Sequence, residues 1–247
     1  MENSKIIFAV PTLFNRPQMV FEAVQKLYEQ AELSGIDYVI YLVCNTEDEN
    51  FMNWETGIEK VKKIVSNVQF NISVALNKVV DKMGDNDYFC FIHDDMFIHD
   101  DKWLSKFIEI FENDKLNCGA LGVRPHSTGE KYCKPVNLDL PYKVSELLWS
   151  DGVIFTHKKI FNQCGKFDEI YFADREQQDF NYKLMENGYK NYMVHVDKTH
   201  LPLTFQDSKG VEEKELFDSH VVEAERIYNE RWLEWETKKI NEVGFQC

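Results

Sequence analysis

The chain has 247 residues, 44% of them hydrophobic, with 28 basic side chains against 42 acidic ones and a formal net charge of -14 at pH 7. That length holds one large α/β domain, or one domain with an appendage, and 18 Phe with 11 Tyr are enough for a sizeable core. The acidic balance argues against a nucleic-acid surface built on bulk charge, and with no apolar run of membrane-spanning length and no secretory leader the expectation is a cytoplasmic chain without a membrane span.

In chain order, Lys5–Val10 predicts a first strand and Pro11–Pro17 a loop, with Asn15 as helix N-cap and Pro17 in the first helical turn. Val20, Val24, Leu27 and Ala31 form a helical stripe that Gly35 ends. Tyr38–Cys44 predicts a second buried strand, and Asn45–Asn50 a polar loop at its carboxyl end. Trp54–Val65 predicts a helix, Val68–Ile72 a short strand, and Ser73–Met83 a helix closed by Gly84. Tyr88–Ile92 is a continuous apolar run that suits a strand buried on both faces. A helix near Lys102–Phe111 follows, capped by Asp100 or Asp101, and then a strand at Cys118–Val123. Alternating strands and helices with short links imply a mostly parallel central sheet with helices on both faces. Cys44, Cys90 and Cys118 fall in or beside these strands and read as reduced core thiols.

The run Tyr88–Ile92 leads into His93, Asp94 and Asp95. A strand ending in adjacent carboxylates delivers them to the carboxyl edge of a sheet, where open α/β sheets bind ligands. Two neighbouring Asp side chains repel unless a positive group lies between them, and a hard divalent cation that also carries substrate phosphates answers that need. The glycine-rich phosphate loops of the patterns GxGxxG and GxxxxGK[ST] are both absent, so phosphates must be held another way, with a metal on Asp95 the obvious candidate.

The second half changes rhythm. Arg124–Leu147 has no clear period and contains Pro125, Pro135 and Pro141, which predicts a long functional loop. Trp149–Phe155 resumes an apolar segment, Lys158–Cys164 is a short helix, and Asp174–Gln177 resembles a capping box opening a helix that runs to Asn187. Glu176 and Asp179 lie three apart and are expected on one face. A strand at Asn191–Val196 precedes His200, and Glu212–Ile240 predicts one or two amphipathic helices packed on the domain. The expected division is a domain over 1–210, with a donor half at 1–123 and an acceptor half at 124–210, and a C-terminal helical extension at 211–247.

The order of these features resembles the GT-A glycosyltransferases, specifically the family-two group of nucleotide-sugar-dependent enzymes, from about Lys5 to His200. Val10–Arg16 looks like an opening PTxNR loop, Ala75–Asn77 stands where Ala-Arg-Asn is common, and Phe91–Ile98 looks like the DxD metal motif. Asp151-Gly152 with Gly165–Glu169 is similar to the segment G…GxFDE, and Glu176–Phe180 with Gly188-Tyr189 to EDxDL…GY. Four positions depart from the pattern: His93 for the first Asp of the metal motif, Leu76 for Arg, Asn45 for a base-gripping Asp, and Gln177 for the acid of the ED pair.

The resemblance implies a metal-dependent inverting enzyme that moves a sugar from a nucleoside-diphosphate sugar to an acceptor hydroxyl. It implies a donor site of Pro11, Thr12, Asn15, Arg16, Asn45, Asn77, His93 and Asp94. Trp149, Asp151 and Gly152 would meet the acceptor, and Asp95 with His200 would hold Mn²⁺ or Mg²⁺, the imidazole favouring Mn²⁺. Glu176 is the expected base, with Asp179 as second choice, and His195 is an alternative to His200. The acceptor is left open among glycan, lipid-linked sugar, protein and modified nucleobase. Two other classes compete: a nucleotidyltransferase, which usually needs a basic glycine-rich loop after the first strand, and a non-catalytic nucleotide-sugar-binding protein, for which Gln177 leaves room.

Overall fold

A computed structural model describes residues 4–44, 47, 49–123, 133–150, 152–172, 174–196, 199–200 and 214–243, with residues 199–200 described by backbone alone. Strand β1 (Ile6–Thr12) is buried at every position, so both faces of the sheet are covered there. It lies parallel to β2 (Tyr38–Cys44) in register from Ile6↔Tyr38 to Thr12↔Cys44. Between them runs α1 (Pro17–Ser34), whose buried stripe is Val20, Ala23, Val24, Leu27 and Ala31. Gly35 closes α1 in the left-handed region at φ 69, where a side chain would be strained. The expected cap at Asn15 is not there: Arg16 holds the N-cap position without a side-chain hydrogen bond, and Pro17 opens the helix.

The stretch after β2 differs from the sequence expectation. A short helix α2 covers Glu49–Asn53, and Val61–Val65 is not helical but strand β3, parallel to β2. Trp54, Ile58, Val61 and Val65 do recur at helical spacing. Gly57 at φ 67 breaks the turn, however, and pairing with β2 decides the rest. The outer position of β3 explains why Lys62 and Lys63 lie on it exposed. Val68–Ile72 is not a strand either: Asn67 and Phe70 take positive φ, and Asn71 caps α3 (Ile72–Val80) by accepting the Val74 amide at 2.9 Å.

Strand β4 (Tyr88–Ile92), fully buried, completes the parallel group beside β1. The two-residue strand β5 (Phe97–Ile98) and α4 (Trp103–Phe111) follow, and then β6 (Cys118–Gly122). From here the sheet is mixed. Strands β7 (Cys133–Val136) and β8 (Val144–Leu147) form an antiparallel hairpin on the sheet edge. The expected loop over Arg124–Leu147 is therefore partly regular, its residues 124–132 falling outside the described ones. Pro135 is compatible with β7 because an edge strand has one free side.

Strand β9 (Val153–His157) enters antiparallel to β4 and leads into α5 (Lys158–Cys164). Helix α6 (Glu176–Glu186) returns the chain to β10 (Lys190–Val194), parallel to β6. The nine-stranded order is β3-β2-β1-β4-β9-β6-β10-β8-β7, and a bridge joins β5 to β11 (Thr199–His200). The capping box expected at Asp174–Gln177 does not form, since Arg175 occupies the N-cap position at φ 74 with no side-chain cap. One helix, α7 (Lys214–Val243), makes up the C-terminal extension and buries Ala224, Tyr228 and Trp232 against Leu148, Tyr171 and Tyr182.

Candidate active site

The carboxyl ends of β1 and β4 meet at one edge of the parallel group, because β1 pairs with β4 from Ile6↔Tyr88 to Ala9↔Phe91. Past β1, the Thr12 hydroxyl oxygen accepts the Phe14 amide at 2.9 Å and pins the loop while Phe14 sits at φ 56. Past β4, the His93 amide donates to the Gly152 carbonyl at 3.0 Å and the Met96 amide to the His93 carbonyl at 3.1 Å. This turn presents Asp94 and Asp95 at the edge. Asp94 has its pKa raised, first by burial and then by Asp95, while a hydrogen bond from Thr12 and the charges of His93 and Arg16 oppose the shift.

Asp95 is only 7% exposed, and its Oδ1 has no hydrogen-bond partner among the described residues. The same holds for Nη1 of Arg16. A buried carboxylate oxygen and a buried guanidinium nitrogen left open are each costly unless a ligand satisfies them, and Arg16 lies close enough to act electrostatically on the neighbouring Asp94. Residue His200 pairs its backbone with Phe97 in the β11–β5 bridge, two positions from Asp95. Its side chain lies outside the described part, as do Asn45 and Asp151. Among the described residues no three His, Cys, Asp or Glu side chains gather as a metal cage. One or two carboxylates completed by substrate phosphates and water is the arrangement a hard divalent cation takes instead, and the open oxygen of Asp95 fits it.

Opposite lies the start of α6. Glu176 is 2% exposed, and its Oε1 accepts from Gln177 Nε2 at 3.2 Å. Its pKa is pushed up to about 7, first by burial and next by Asp174, against the opposing pull of a backbone hydrogen bond, His93 and Gln177. A carboxylate poised there suits a general base at neutral pH. Gln177 also accepts the Gly152 amide on Oε1 at 2.8 Å and brings Nε2 within 3.3 Å of His93 Nε2. Gly152 stands at φ 76, where a side chain would be strained, and a Cβ there would also push aside the end of Met96. Gly152 leads into β9, so its bonds to His93 and Gln177 tie the turn after β4 to α6.

Asp179, fully buried, turns to the C-terminal helix and not to the side on which Glu176 meets Gln177. Its Oδ1 accepts from Trp232 Nε1 at 2.9 Å and pairs with Arg231 at 3.2 Å, and its Oδ2 faces Lys183 at 3.4 Å. Arg175 likewise donates to Glu225 at 2.7 Å and lies over the Tyr228 ring at 4.8 Å. Helix α7 thus grips α6 on both sides of Glu176.

Other expected residues have different work. Asn77 is buried and ties α3 to the turn before α6, donating to the Phe167 carbonyl at 2.9 Å and Glu169 Oε1 at 2.8 Å, and accepting the Phe167 amide at 3.1 Å. Its amide is thus committed to protein partners. Trp149 is half-buried and packs on the cluster shared with α7. Pro11 is buried within β1 opposite Val43, and Asn15 is exposed on the loop. His195 meets Ser145 of β8 at 3.0 Å. Sequence reasoning missed Arg175 and Arg231 and took Gln177 only for a departure. The helical spacing of Tyr228, Trp232 and Trp235 does mark the packed face of the C-terminal helix, though not the bond from Trp232 to Asp179.

The sequence profile described as glycosyl transferase family 2 matches residues 9–167. This chain belongs to glycosyl transferase family 2. Comparison with curated protein sequences finds no match. Among solved structures, this family 2 glycosyltransferase is similar to the catalytic domain of Drosophila beta1,4galactosyltransferase 7 in complex with xylobiose, at TM-score 0.56 and 14% identity over 86% of this chain and 79% of that one. A mutant of that enzyme, complexed with manganese, UDP-Gal and xylobiose, gives TM-score 0.55 and 13% identity over 87% and 79%. GalNAc-T7 with UDP, GalNAc and Mn²⁺ gives TM-score 0.60 and 11% identity over 78% of this chain but 42% of that one. At such identity the likeness is one of fold, the GT-A fold. The profile match stops before α6, so the family 2 assignment rests on residues 9–167, from β1 past α5, and not on Glu176.

Proposed function

We propose that the chain transfers a sugar from a nucleoside-diphosphate sugar to an acceptor hydroxyl, with inversion, using a divalent cation held by Asp95. The observation that carries this reading is the pair of buried open atoms, Asp95 Oδ1 and Arg16 Nη1, at the carboxyl edge of β1 and β4. Asp95 would hold Mn²⁺ or Mg²⁺ there, which would supply Lewis-acid neutralisation of the leaving diphosphate. The occurrence of manganese with UDP or UDP-Gal in structural neighbours supports the same chemistry, and uridine donors are the first to test.

The residues of the chain divide the remaining tasks. Arg16 offers its open N–H to a diphosphate oxygen, and the Thr12 hydroxyl orients Asp94. Asp95 and His200 would hold the cation. Glu176, ionised above about pH 7, takes the acceptor proton on the oxygen that Gln177 leaves open. One base and one leaving group on opposite sides of the sugar carbon give a single displacement, hence inversion. Residues 1–123 act as the donor half, 124–210 as the acceptor half, and 211–247 as an extension that braces the latter. The acceptor class stays open among glycan, lipid-linked sugar, protein and modified nucleobase. No helix among the described residues is long and apolar enough to cross a membrane.

The test is a thermal-shift panel of nucleoside-diphosphate sugars with and without Mn²⁺, followed by donor hydrolysis. A ligand that binds the native state raises apparent stability by mass action. A Mn²⁺-dependent shift with turnover supports transfer. A shift without hydrolysis favours the non-catalytic reading that Gln177 permits, and no shift with any donor overturns both.

A further inference from the structure

Gln177 occupies a position where the family resemblance leads one to expect an acid, and it is 7% exposed with both polar atoms engaged. The orientation of its amide follows from chemistry. The Gly152 backbone N–H can only donate, so the atom facing it at 2.8 Å is Oε1. Nε2 then donates to Glu176 Oε1 at 3.2 Å and lies 3.3 Å from His93 Nε2. A carboxylate at 177 would have no proton for Glu176 when ionised, and would set a second negative charge against it.

We propose that Gln177 is a positioning residue for the general base: its amide bridges the Gly152–His93 turn to the Glu176 carboxylate and sets where that carboxylate stands relative to the donor. This rests on the reading of Glu176 as base. The amide also favours the ionised form of Glu176, acting with His93 against Asp174, the other charged group that faces it. The clamp therefore does two things at once. It orients one carboxylate oxygen away from the acceptor and keeps the carboxylate ionisable near neutrality in spite of its burial.

The experiment follows the Glu176 carboxyl by ¹³C NMR titration in the intact protein without donor, beside transfer kinetics, for wild type, Gln177→Glu and Gln177→Met. Met keeps length and bulk without hydrogen bonds, and thermal unfolding shows whether each variant is folded. The Glu176 midpoint is expected to rise in both variants, more in Gln177→Glu. At pH near 7 the rate falls on the order of tenfold or more, with donor KM little changed, and it partly recovers at higher pH. A purely structural role would not move the midpoint. An unmoved midpoint in folded variants, with Glu176→Gln still inactive, overturns the positioning claim alone. A raised midpoint with an unchanged rate overturns Glu176 as base, and the positioning claim with it.

Discussion

The two sides of the candidate site are built differently. On one side, Thr12, Arg16, Asp94 and Asp95 stand at or just beyond the ends of paired parallel strands, so backbone register and short local loop bonds bring Thr12 and Arg16 to Asp94. On the base side, Glu176 is held by side chains from distant segments: Gln177 reaching Gly152 and His93, and Arg175 and Asp179 gripped by Glu225, Tyr228, Arg231 and Trp232 of α7. Arg175 stands at φ 74, a conformation that costs a non-glycine residue about 1 kcal/mol or more and persists only when its surroundings impose it. Here those surroundings are α7. A side made by topology tolerates the loss of remote contacts. A side made by side-chain ties does not.

The largest expected effect breaks the base side at its centre. Glu176→Gln should lower transfer by ~10²–10⁴-fold while donor affinity and fold are retained, since Gln preserves shape and removes basicity. Steady-state kinetics beside donor titration check this, and Asp179→Asn is the control. Because Asp179 faces Trp232 and Arg231, that control should lose stability in preference to rate.

Next comes pH. The Glu176 carboxyl titrates at about 7 in the folded protein against 4.5 for an ordinary glutamate, so the folded state holds its proton more tightly. Stability contributed by this group is complete at low pH and declines as pH rises from the unfolded value through the folded one. Glu176→Gln should therefore be more stable than wild type by roughly 3 kcal/mol at about pH 8, with the gap closing by about pH 4. Denaturant melts at the two pH values measure it, and a constant gap would contradict the burial argument.

Asp179→Ala should cost about 2–3 kcal/mol, by leaving the Trp232 N–H and part of Arg231 without a partner beneath α7. Transfer should slow as well, because the first turn of α6 loses its anchor. Trp232→Phe removes the N–H together with the pyrrole part of the buried indole, so it should cost more than the ~1 kcal/mol of the hydrogen bond alone in a chemical melt. Were both variants to leave kcat unchanged, α7 would be a passive cover.

The same contrast explains what could be read in the sequence. The buried strands announced themselves as short apolar runs, and Asp94-Asp95 after Tyr88–Ile92 was enough to place two carboxylates at the carboxyl end of β4. Val61–Val65 was misread because an exposed edge strand need bury only one residue and kept a helical spacing by chance. The β7–β8 hairpin was missed for a similar reason, its first strand having no buried residue and carrying Pro135. Asp174 looked like a cap, but its side chain turns to the Arg175 amide at 2.8 Å. Gln177 looked like a lost acid, because its value lies in partners 25 and 84 positions away, which no local pattern encodes.

The central claim is that Asp95 holds a divalent cation which in turn holds the donor diphosphate. Isothermal calorimetry with a nucleoside diphosphate, in Mn²⁺ and in chelator, on wild type and Asp95→Ala tests it directly. The account predicts binding by wild type that requires Mn²⁺ and that disappears in Asp95→Ala, with the variant still folded by circular dichroism. Equal affinity of the variant in the presence of Mn²⁺ would contradict it.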